Sequence, residues 1–195
     1  GLTSIDIPNS VTDIGAYAFS YCTGLTSIVI PDSVTNIGYG AFLSCEGLTN
    51  IDIPNSVTKI GDSAFEGCTG LTSISVDPNN LNFSSLEGVL YDKEKTKIIK
   101  VPCGKTDDVV IPGSVISIAS YPFSYCTGLT SIVIPNSVTS IGEGAFIYCE
   151  GLTSIDIPNS VTDIEDSVFE GCIGLTSIVI PNLVTNIEYS AFKDC

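Results

Sequence analysis

The chain is 195 residues long and sets 22 acidic residues against 7 lysines, with no arginine and no histidine, for a formal net charge of -15. That balance excludes sequence-independent nucleic-acid binding, which needs a basic face to neutralise phosphates. Apolar residues make up 44% of the chain, enough for a sizeable core, but no run of 18 or more occurs and no direct membrane insertion is expected of this segment.

From the first residues the sequence repeats itself. Close copies of one unit begin at Leu2, Leu25, Leu48, Leu71, Leu129, Leu152 and Leu175, mostly 23 residues apart, and the unit is clearest in LTSIVIPNSVTSIGEGAFIYCEG over residues 129–151. A repeat of this length is one supersecondary unit that cannot bury its apolar face alone and must stack on its neighbours, so one continuous solenoid domain over 1–195 is expected. The chain starts inside one repeat and ends inside another. It is therefore expected to be part of a longer protein, with end-to-end self-association open to its uncapped repeats.

Within a unit, Leu129 to Ile134 is β-branched and polar by turns between Gly128 and Pro135, and reads as a short strand that pairs in parallel coil after coil. Pro135, Asn136 and Ser137 are turn chemistry. Val138 to Ile141 reads as a second, shorter strand, and Glu143 to Cys149 as a single helical or 3-10 turn holding Phe146 inward. The Phe position is filled in seven units, by Phe19, Phe42, Phe65, Phe123, Phe146, Phe169 and Phe192, which predicts a stacked ladder of rings in the core. Gly15, Gly38, Gly61 and Gly142 share a position where Ala119, Glu165 and Glu188 also stand, so no strict positive-φ requirement is expected there.

One unit breaks the period. From Leu71 to Lys105 the spacing is 35 residues, and the next unit resumes from Thr106 without its leading leucine. Val89–Tyr91 and Lys97–Val101 are β-type runs around Asp92 to Thr96, which predicts a hairpin inside this irregular repeat. Five of the seven lysines lie here, so residues 71–105 carry 5 - 4 = +1 while the remainder carries 2 - 18 = -16.

The recurring LTSIxIPxSVTxIGxxAFxxC resembles the BspA-like leucine-rich repeats of bacteria and protists, and SSLEGVLYDKEKTKIIKVPCGK resembles the irregular repeat often interleaved in that family. The resemblance implies an α/β-type leucine-rich-repeat solenoid, strand-rich, a curved right-handed coil with a parallel sheet on its concave face and short strands or 3-10 turns on its convex face. It further implies an extracellular or cell-surface location, a role in adhesion to host, matrix or microbial surface proteins, no catalytic residues and no cofactor.

The residues themselves carry no catalytic constellation, because serine stands without histidine, a G-x-S-x-G elbow or an S-x-x-K motif to activate it. Seven cysteines share one repeat position (Cys22, Cys45, Cys68, Cys126, Cys149, Cys172 and Cys195) and are expected as buried, reduced thiols, with Cys103 of the irregular unit open to solvent. Metal binding is not expected without histidines or C-x₂-C pairs. Outward strand positions read Asp6, Val29, Asp52, Ser75, Val110, Val133, Asp156 and Val179, so no two carboxylates should converge on a cation. Threonine rows raise an ice-binding or glycan-binding surface as a remote alternative, and Asn82-Phe83-Ser84 matches a glycosylation sequon.

Two candidate binding surfaces follow. Phe83 and Tyr91, with Lys93, Lys95, Lys97 and Lys100, would make the irregular unit a locally basic, aromatic anchor for an acidic protein partner; edge protection against aggregation is the competing use of those lysines. Val29, Asp52 and Val133 on the first-strand face are the other. The expected function is a non-catalytic interaction module, with a structural spacer displaying another domain as the alternative.

Overall fold

The computed structural model describes residues 1–105 and 109–195, so the repeat start expected at Thr106 lies outside the described residues. The chain divides into two compact units, Gly1–Glu94 with Lys100–Lys105, and Lys95–Ile99 with the described part of Thr106–Cys195. Both are built of short strands and turns, and no helix occurs among the described residues.

In the first unit Asn50–Ile53 pairs in parallel with Ser73–Val76, each residue opposite the one 23 positions on. In the second, Ser131–Val133 pairs with Ser154–Asp156 in the same register. The period-2 pattern of the sequence explains the sidedness: Ile51 and Ile53 are buried while Asn50 and Asp52 face solvent. Two-residue strands follow each turn. Asp13–Ile14, Asn36–Ile37 and Lys59–Ile60 line up in parallel, as do Asp163–Ile164 and Asn186–Ile187. Between first and second strands the chain bends at the proline, whose carbonyl accepts from the N–H three residues on, as in Val57 to Pro54 and Val138 to Pro135. The serine of that turn then donates to the preceding coil, Ser56 to the Val34 carbonyl at 2.7 Å and Ser137 to the Val115 carbonyl at 2.6 Å.

The segment expected to be helical is not. Over 142–149 the N–H groups alternate: Ala145, Ile147 and Cys149 donate three residues back, whereas Gly144, Phe146 and Tyr148 donate across to Asp166, Val168 and Glu170 of the next coil. Sending every second donor to a neighbour leaves too few for a helical ladder, and the chain becomes a series of linked turns. Gly144 and Tyr148 have φ of 56° and 55°, the left-handed conformation that position i+2 of a type II turn requires. The Gly142 position behaves as expected from its substitutions. Glycine there serves close approach, since a Cβ on Gly38 would lie 2.6 Å from the Ala16 nitrogen.

The predicted ring ladder is present. Phe19, Phe42 and Phe65 stack with centroids 5.4 and 5.6 Å apart, and Phe123, Phe146, Phe169 and Phe192 stack at 4.8, 5.6 and 5.4 Å, with interplanar angles of 15° or less. Beside it runs a ladder of thiols. Cys45 donates to the Phe19 carbonyl of the preceding coil at 3.1 Å, and Cys68, Cys149, Cys172 and Cys195 repeat that bond to Phe42, Phe123, Phe146 and Phe169. Six cysteines are free as expected, and Cys45, Cys68, Cys149 and Cys172 are buried, but Cys22 is half-buried and Cys195 at the last coil is exposed. Cys126 and Cys103 depart from expectation: each is engaged in a disulfide, so Cys126 is not a reduced thiol, and Cys103 is half-buried rather than open to solvent. The irregular unit adds a second kind of cysteine environment that the 23-residue period conceals.

In that unit the two expected β segments are strands, Val89–Asp92 and Lys97–Lys100, and a third, Phe83–Leu86, pairs antiparallel with Val89–Asp92. Its two-residue loop is Glu87-Gly88, with φ of 51° and 81°, the pair of left-handed residues a type I′ hairpin turn demands. Asn80 replaces the valine of the regular turn and is fully buried. Its Nδ2 donates to the Pro54 and Val57 carbonyls at 2.8 and 2.9 Å, and its Oδ1 accepts from the Asn82 and Phe83 N–H groups at 2.9 and 2.8 Å. Every bonding site of the amide is thereby used.

Candidate functional site

The first-strand face is the more open of the two surfaces read from the sequence. Val29 and Val133 are 78% and 81% exposed, and Asp52 is exposed between buried isoleucines. In the second unit Val133 lies opposite Asp156, and Asp156 opposite Val179, which is 80% exposed. Apolar and acidic side chains therefore alternate from coil to coil, so the carboxylates do not converge. Among the described residues no group of three or more His, Cys, Asp or Glu side chains could hold a metal ion.

Beside that stripe the threonine hydroxyls are committed to the fold. Thr72 donates to the Thr49 carbonyl at 3.0 Å and Thr153 to the Thr130 carbonyl at 3.2 Å. On the second strands Thr35 and Thr58 do the same to Thr12 and Thr35, each at 3.2 Å. A hydroxyl that gives its proton to a carbonyl of the preceding coil keeps only acceptor capacity for a ligand, which weakens the ice- and glycan-binding alternatives.

The basic surface fares worse. Tyr91 and Phe83 are 1% and 9% exposed and belong to the core, so neither ring is available as an anchor; burial pushes the Tyr91 hydroxyl up to about 12. Lys93 donates its ammonium to the Pro78 and Asn80 carbonyls and clasps the loop that Asn80 organises. Lys100 is 4% exposed and lies beside Cys68, whose thiol burial raises to about 11 against the pull of that cation. Lys95 is half-buried, with a φ of 56° and a carbonyl that accepts from Ser114. Lys97 is exposed. Clustering in sequence therefore did not produce a cationic patch, because two of the four lysines are spent inside the unit.

The regular turns carry exposed tyrosines that the repeat pattern does not single out. Tyr17, Tyr21 and Tyr39 are 53%, 70% and 46% exposed, and Tyr125 stacks on Tyr148 with centroids 5.0 Å apart. Their signal is aromatic residues recurring at three turn positions, diluted by the small and acidic residues that alternate with them.

This pattern of parallel first strands, proline turns and a Phe ladder matches a known family. The model of the BspA type leucine-rich repeat region matches residues 1–104 and 100–195. The chain belongs to the BspA-type leucine-rich-repeat family. Among solved BspA-type and other leucine-rich structures, a leucine rich cell surface protein from Faecalibacterium prausnitzii A2-165 is similar over 100% of this chain and 52% of its own, at 38% identity and a TM-score of 0.90. The pneumococcal vaccine antigen PcpA is similar over 95% of this chain and 47% of its own, at 32% identity and a TM-score of 0.88. The chain thus spans about half the length of each. No protein of curated function matches it in sequence. BspA-type repeats are generally non-catalytic, and these solved relatives are a cell-surface protein and a vaccine antigen.

Proposed function

We propose that this BspA-type segment is a non-catalytic interaction module of a secreted or cell-surface protein, and that it binds a host, matrix or microbial surface protein through its first-strand face. The observation that carries the reading is the exposure of Val29 and Val133, 78% and 81%, each between two buried isoleucines, and of Val179, 80%. Fully burying one such side chain is worth roughly 1.5–3 kcal/mol, and the fold leaves that gain unused at each of these valines. Aspartates between the valines favour a partner that presents apolar groups flanked by lysine or arginine. The cell-surface character of the similar protein from Faecalibacterium prausnitzii supports the location.

The test is saturable binding of the chain to immobilised serum and extracellular-matrix proteins, measured by surface plasmon resonance. A specific, saturable signal supports an interaction module. A flat response to every protein, with binding confined to flanking segments of the longer polypeptide, favours a spacer that displays another domain.

A further inference from the structure

A cluster on the turn side of the first unit is used neither by the strand face nor by the core. Tyr17 and Tyr39 pack edge to face, with ring centroids 5.4 Å apart and planes at 72°. Tyr39, Glu66 and Tyr21 each act electrostatically on the Tyr17 hydroxyl. The three rings stay substantially exposed, Tyr21 at 70%.

The turn does not require these rings. Tyr17 and Tyr21 both sit at φ 59°, where a side chain is held at a backbone cost, and the next two coils fill the same positions with Gly40 and Ser44, then Ser63 and Gly67. Tyr17 has a packing use, since its ring lies over Gly40, where an added Cβ would come within 2.8 Å. Tyr21 faces solvent. The left-handed backbone is shared by those coils, but they carry glycine or serine on it, so the exposed aromatic of Tyr21 calls for a use outside the core.

The surroundings decide the partner. Residues 1–70 hold seven acidic side chains and one lysine, 1 - 7 = -6, so the local field attracts cations. Ring faces, phenol oxygens and a carboxylate brought together favour an ammonium or guanidinium group. A sugar ring would need a flat aromatic platform, whereas Tyr17 and Tyr39 meet at 72°. We propose that Tyr17, Tyr21, Tyr39 and Glu66 form a second docking surface, which takes a lysine- or arginine-bearing extended segment of a protein partner.

The probe is an end-capped, fluorescently labelled peptide of about twelve residues alternating lysine and proline, which stays extended in solution. Its binding to the 195-residue chain is followed by anisotropy. The double variant Tyr21→Ser, Tyr39→Asp installs residues that the next coils carry at these positions, Ser44 and Asp62. It should bind at least about tenfold more weakly although it gains a negative charge, because the aromatic contribution is lost. Glu66→Gln leaves every ring in place and should weaken binding about threefold while flattening its salt dependence. Val133→Ser with Val179→Ser should change nothing. No binding by the wild type, a double variant and Glu66→Gln that both bind like the wild type, or displacement of the peptide by neutral maltohexaose would each overturn the proposal.

Discussion

Asn80 shows how one side chain can replace a regular repeat. In ordinary coils a valine sits in the turn and its backbone makes the bends; in the irregular unit the chain has to leave the coil for a hairpin, and a buried amide ties the departure point to Pro54 and Val57 behind it and to Asn82 and Phe83 ahead. Asn80→Ala would leave the Val57 carbonyl and the Asn82 and Phe83 N–H groups without the amide and would take one of two donors from the Pro54 carbonyl. The expected cost is about 3 kcal/mol or more, a large share of the stability of a single domain, read as a drop in the denaturation midpoint. A loss under about 1 kcal/mol would mean that water replaces the amide. Nothing in the sequence distinguished Asn80 from the turn asparagines around it, because burial, not residue type, gives it this role.

At the scale of the element, the ladders were the most legible part of the chain and the turns the least. Phe19 to Phe192 recur at one position, and identical residues at a fixed period can only stack. The turn positions of Tyr17 and Tyr21 hold tyrosine, glycine, serine and aspartate in different coils, so the left-handed backbone they share leaves no single-residue signature. The lysines misled for a related reason: a sequence cluster says nothing of which side chains turn inward, and Lys100 did. Cys126 likewise looks like its six periodic counterparts yet is disulfide-bonded.

The thiol ladder carries a prediction of its own. Burial pushes Cys45 and Cys172 up to about 12 and Cys68 up to about 11, with neighbouring thiols acting in the same direction on Cys45 and Cys172. An unfolded thiol ionises near 8.5–9, so above that pH the unfolded state releases protons that the folded state keeps. The stabilisation held by these raised values is complete below about pH 9 and is lost as the pH climbs through 11 and 12. Urea midpoints should therefore fall as pH rises beyond about 9, and Cys45→Ala with Cys68→Ala and Cys172→Ala should flatten that slope while lowering the midpoint at neutral pH. An unchanged slope would show that the thiols are not held protonated in the fold.

For the molecule as a whole, the formal charge of -15 and the disposition of its few cations separate what the fold uses from what it leaves free. Hydroxyl rows, the buried lysine and the core aromatics are consumed in joining coil to coil. The exposed valines Val29, Val133 and Val179 are not, and their exposure is why binding is proposed at that face rather than at the irregular unit. The most direct measurement compares two variants of the 195-residue chain on a partner captured from matrix or serum proteins. Val133→Asp with Val179→Asp changes only exposed strand-face residues, while Lys95→Glu with Lys97→Glu reverses two lysines of the irregular unit. The account predicts that the valine variant loses binding by at least about tenfold with its melting temperature nearly unchanged, and that the lysine variant binds as the wild type does. Full binding by the valine variant together with loss in the lysine variant would contradict it.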